Sequence, residues 1–174
     1  MKKMDSAKQG EIKPKVLLYE TRRSVSEILD KPFTETIDHQ IFRPDQKALA
    51  TWAADCAERV LPYVEARYPG DDRPRKAIET LREWIETRVF SMRIIRGVSL
   101  SAHAAAKGKK EADAVFAAHA AGQAVGTAHV VTHSFGSSLY SIRAVIAHTG
   151  NVDDGLIRER DWLLIHLLRI VGKL

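Results

Sequence analysis

Twenty-nine consecutive residues, 114–142, contain no Asp, Glu, Lys or Arg, and this stretch limits the folding choices of the chain more than any other feature. A helix without a charged face has to be surrounded by protein on most sides. The stretch is too polar to cross a membrane. It holds His119, His129, His133, Gln123, Thr127, Thr132 and four serines, whereas a spanning helix needs about 20 predominantly apolar residues. It is therefore expected at the centre of a helical bundle. One continuous helix from Lys110 to Thr149 would be about 60 Å long, against a diameter of about 40 Å for a globule of this size, so a break is expected at Gly122 to Gly126 or at Gly136. Ala118, Gly122 and Gly126 recur every four residues and form a stripe where missing side chains would let a neighbouring helix approach, although each glycine costs a helix about 1 kcal/mol against alanine.

The flanking sequence supplies the other helices. Leu49, Ala53, Cys56, Val60 and Val64 recur at steps of three and four after Pro44-Asp45, which predicts an amphipathic helix. Pro62 falls within the pattern and is expected to kink it or end it near Leu61, because proline lacks the amide hydrogen and clashes with the preceding turn. YPGDDRPR at 68–75 reads as a stop and a new start. Asp72 is the cap candidate, and Pro74 suits a first turn that has no use for its missing N–H. Ile78, Leu81 and Ile85, with Trp84 beside them and Val89 beyond, line the next helix. Ile94, Ile95, Val98, Ala102 and Ala105 mark a third from about Val89 to Lys107, with Gly97 as its weak point. Leu156 to Val171 makes an oily last helix, either core or an oligomer contact. No period-two alternation bounded by hairpin turns and no internal repeat is present. The expected fold is all-α: a single-domain bundle of about five or six helices (45–174) around the uncharged Ala/Gly-rich one, preceded by a basic, mostly irregular leader (1–44).

The net charge of +5 is unevenly placed. Residues 1–24 hold seven Lys/Arg against three acidic residues, so an excess of +4 lies in the first 24 residues and only +1 in the remainder. A nucleic-acid-binding domain should carry a basic face within its fold, and the distribution argues against that function. Cys56 is the single cysteine, which excludes an internal disulfide and any Cys-based zinc pattern. The leader has no apolar run of the kind a secretory signal needs. A cytoplasmic chain without membrane attachment is expected.

Few residues could carry chemistry. His129 and His133, four apart, would project from one face of a helix and could offer two ligands to a metal, with His103 or Asp55 completing the set through tertiary contact. A catalytic metal site normally needs three protein ligands, and no HExxH is present. The competing reading is neutral core histidines bonded to backbone, Ser or Thr. Around the 68–75 turn, Arg73 and Arg75 could grip an anionic ligand or a partner carboxylate through their guanidinium forks, or act as charges in the cap region. Cys56 lies on the apolar stripe and reads as a small buried hydrophobe. No Ser-His-Asp arrangement, phosphate-cradling loop or catalytic set is visible, and no cofactor is expected.

The run TWAADCAERVLPYVEARYPGDDRPRKAIETLREW, followed by AAGQAVGTAHVVTH, resembles the all-helical immunity proteins of bacterial polymorphic toxin systems, the immunity-five-like group. Trp52, Cys56, Tyr68, Pro69, Asp72, Arg73, Pro74, Arg75, Ala77, Ile78, Trp84, Gln123, Ala124, Ala128 and His129 carry the resemblance, over about residues 46–148. Bulky Ile94 and Ile95 depart from the group's Ala-rich third helix. The resemblance implies an all-helical fold and a non-enzymatic protein that neutralises a toxin by binding it. The candidate binding residues are Trp52, Asp55, Arg73, Arg75, His129 and His133. The alternative is a bundle that binds a metal or small ligand around His129 and His133.

Overall fold

A computed structural model describes residues 20–28 except 22 and 26, and residues 46–174. These are helical, with no strand among them. A short helix α1 lies within 20–28, followed by α2 (Gln46–Glu65), α3 (Arg73–Thr87), α4 (Met92–Ala105), α5 (Ala112–Gly126), α6 (His133–Thr149) and α7 (Val152–Ile170). No described helix is long and apolar enough to cross a membrane. Pro44 and Asp45, expected to open the first long helix, lie outside the described residues, as does the leader before residue 20.

The uncharged stretch forms two helices. α5 ends at Gly126, residues 127–132 turn, and α6 starts at His133, so the break falls at the end of the glycine pair. α5 packs against α2, α3, α4 and α6. Its alanines 114, 117, 118, 120, 121 and 124 are buried, and small side chains are what let four helices reach one axis. α6 meets α2 through hydroxyls: Ser137 donates to the Ala53 carbonyl at 2.9 Å and Ser141 to that of Cys56 at 2.8 Å. The buried serines therefore serve the backbone rather than the histidines.

Three local expectations are corrected. The early end expected near Leu61 does not occur: α2 runs through Pro62 to Glu65. Pro62 and Glu58, whose carbonyl loses its donor, are both exposed. Leu61 and Val64 are buried and contribute about 3–6 kcal/mol together, enough to offset a proline cost of about 3 kcal/mol. Asp72 sits at the N-cap of α3 but accepts no cap bond; its carboxylate turns to Lys76 at 2.7 Å instead. The third helix begins at Met92, not Val89, because Ser91 caps it by accepting from the Ile94 amide.

A second apolar cluster joins Trp52, Cys56, Val131, Phe135 and Ile142 to Leu163 and Leu167 of α7 and to Val25 of α1. The oily face of the last helix is thus covered by the chain's own core, although Ile157 and Ile165 remain exposed.

Candidate functional site

The six candidate residues divide among three places. Trp52 is fully buried and its indole N–H donates to the Leu163 carbonyl at 2.8 Å, which ties α2 to α7. Asp55, one turn along on the flank of the same helix, bonds to Arg82 of α3 and lies 2.6 Å from His166 Nε2 of α7. Beside it Arg59 Nε donates to both carboxylate oxygens of the buried Glu159, at 3.1 and 2.9 Å, and its guanidinium lies over the Trp162 ring.

Arg73 and Arg75 brace the 68–75 turn. Arg73 forks onto Asp71 at 2.7 and 2.8 Å, and Arg75 onto Glu65 at the end of α2 at 2.5 and 2.8 Å. The Arg73 guanidinium, helped by Lys109 at 2.8 Å, holds the Asp71 carboxyl well below the usual carboxylate range. Both forks are occupied by the chain's own carboxylates.

His129 and His133 do not share a helix. His129 lies in the α5–α6 turn and His133 opens α6, yet their rings are neighbours, 5.2 Å apart between centroids. His133 Nδ1 pairs with Gln123 Oε1 at 2.6 Å. His103 pairs elsewhere: its Nδ1 meets Nδ1 of His119 at 2.8 Å, a distance at which one ring donates and the other accepts. Burial pushes the pKa of both rings down, helped by His119 at His103 and by Arg143 at His119, which favours neutral imidazoles. No group of three or more His, Cys, Asp or Glu that could hold a metal ion occurs among the described residues. Cys56 is buried, and burial raises its thiol pKa.

Glycines make room for these polar side chains. A Cβ on Gly122 would lie 2.9 Å from the His103 ring, one on Gly126 2.8 Å from His133, and one on Gly136 2.5 Å from the Gln123 amide oxygen. The stripe read as a helix-approach surface therefore admits imidazoles.

His129 faces a cavity of about 570 Å³ shared with Gln46, Trp84, Phe90, Met92 and Ala128. Gln46 fixes its rim by donating to the Thr127 and Ala128 carbonyls at 3.1 and 3.0 Å. At the far end of α4 a second cavity, about 360 Å³, is lined by Leu100, His103, Ala104, Lys107, Val115 and His119 among others. The same segment carries large exposed apolar side chains, some of them lining these cavities: Val89 is 78% exposed, Leu100 65%, Ile94 52%, Phe90 46% and Met92 45%. Five large exposed apolar side chains within twelve residues are a dense run for one segment. This strip escaped the sequence reading, which took Val89 and Ile94 as helix-face residues. Its signal was there to find in the absence of acidic residues from 87 to 110.

The sequence profile of the Imm-5 like putative immunity protein family matches residues 39–169, which takes in α2 to α6 and nearly all of α7. The chain belongs to this family. No curated protein and no solved structure matches it. Family membership spans the buried histidines, the braced turn and the exposed α4 strip alike, and brings with it the expectation of a protein partner.

Proposed function

We propose that this chain is a non-enzymatic immunity protein that neutralises a bacterial toxin by direct binding. Membership of the immunity family carries the reading. The disposition of the side chains supports it: the arginine forks at 73 and 75 and the buried carboxylates Asp113 and Glu159 are spent on internal partners, whereas large apolar side chains stand outward around α4. Surfaces that bind proteins are enriched in aromatic residues, Met and Arg, and this strip offers Phe90, Met92 and three arginines.

Growth rescue tests the reading. Cells expressing the toxin domain encoded by the neighbouring gene should survive when this chain is coexpressed and die without it. Equal killing in both cultures, with the chain present as folded protein, would overturn the proposal.

A further inference from the structure

We infer that the outward face of the 88–107 segment is the surface that holds the partner, and that the partner meets it with an acidic protein surface. The inference rests on the reading of the chain as a toxin-binding protein and adds where and through what chemistry it binds.

Residues 87–110 contain Arg88, Arg93, Arg96, Lys107, Lys109 and Lys110 and no Asp or Glu. Outside this run, residues 46–174 hold 12 Lys/Arg against 14 Asp/Glu, so the rest of this part of the chain is close to neutral while the run carries six cations and no anion. Lys109 is committed to Asp71. Arg93, Arg96, Lys107 and Lys110 are exposed and form no ion pair among the described residues. Elsewhere on the molecule exposed arginines such as Arg73, Arg75 and Arg59 are matched with carboxylates. Leaving a run of cations unmatched on an otherwise nearly neutral surface provides a field of one sign, which steers an oppositely charged partner.

The geometry of α4 interleaves charge with apolar anchors. Arg93, Arg96 and Leu100 follow one another at steps of three and four, so they share one helix face, opposite the buried Ile95 and Ala102. Arg88 adds a further sign of commitment. It is the one non-glycine residue with positive φ among those described, at 60°, a conformation that an L residue adopts at some cost. It ends α3 there, lays its guanidinium over Trp84 at 4.6 Å and sends Val89 and Phe90 outward. A cavity lies at each end of the strip, ready for protruding side chains. A phosphate backbone would leave five large apolar side chains in water, and a bilayer would have to bury Arg93 and Arg96 beside Leu100. A protein surface with carboxylates set around apolar anchors satisfies both kinds of group.

The test is isothermal titration of the full chain against the toxin domain encoded by the neighbouring gene, with melting curves to confirm that each variant is folded. Arg88→Glu/Arg93→Glu/Arg96→Glu should weaken binding by about a hundredfold or more, the corresponding triple Gln variant by less, and Arg169→Glu on α7, a helix that does not pack on α4, by little. Binding by the wild type should also weaken as salt rises. If the wild type binds and the triple Glu variant binds as tightly, the surface assignment is wrong while the toxin-binding reading stands. If the wild type does not bind, both fall. Preferential binding of the wild type to phosphatidylserine vesicles or to a 20-nucleotide RNA, abolished by the same triple variant, would replace the protein partner with a membrane or a nucleic acid and overturn the inference.

Discussion

Gly122 and His103 occupy one volume: a Cβ at residue 122 would lie 2.9 Å from the imidazole that pairs with His119. Gly122→Ala should gain about 1 kcal/mol of helix propensity. It should lose more, about 1–3 kcal/mol from overpacking and about 1 kcal/mol from the broken His103–His119 bond. Gly97→Ala has nothing within 4 Å of the added Cβ and should stabilise by up to about 1 kcal/mol. Urea denaturation of the two variants should therefore move the midpoint in opposite directions; equal shifts would show that the histidine pair does not depend on the glycine.

The same pair sets an acid limit on stability. Burial lowers the pKa of both rings in the fold, so the unfolded chain takes up protons first as pH falls. The contribution is fully present above the unfolded histidine value of about 6.5 and is lost as pH drops through the folded values. Melting temperature should decline from pH 7 to pH 5. His103→Phe/His119→Phe, which removes both polar partners together, should flatten that decline. Asp113 acts in a lower window. Burial alone would raise its pKa, but bonds from Arg67 and His148 hold it below the ordinary value, so its contribution disappears only at more acid pH.

Arg59→Ala should destabilise by about 2–3 kcal/mol at neutral pH, because it strands Glu159, which is 2% exposed, without its counter-charge. The partial exposure of Arg59 keeps the cost at the lower end. Burial already raises the Glu159 pKa against the pull of Arg59, and losing Arg59 should raise it further. The penalty should therefore shrink toward pH 5 as the carboxyl protonates, which denaturation curves at pH 7.5 and pH 5 would reveal.

Periodicity made most of the fold legible, because Leu49 to Val64 and Ile78 to Ile85 bury what their spacing says they bury. The uncharged stretch placed α5 at the centre, and helix length against globule size required a break, which falls at Gly126, the end of one of the two places expected for it. Local rules failed where tertiary contacts outweighed them. Burial of Leu61 and Val64 carried α2 past Pro62, and Lys76 drew Asp72 away from capping. The partners of the histidines could not be read: His103 meets His119 across two helices and His133 meets Gln123, pairings that sequence spacing does not encode. The α4 strip was missed because charge was summed over the leader and the remainder, and the basic run at 88–110 was cancelled by acidic residues on other helices.

Direct binding is the most immediate test of the account. Purified full-length chain titrated with the toxin domain of the neighbouring gene should give a saturable one-to-one complex with Kd below about 10⁻⁷ M, the range of specific protein complexes of standard interface size, and its formation should slow hydrogen exchange at residues 88–107. Absence of binding at tens of micromolar, or a tight complex that leaves exchange across 88–107 unchanged while protecting another face, would contradict it.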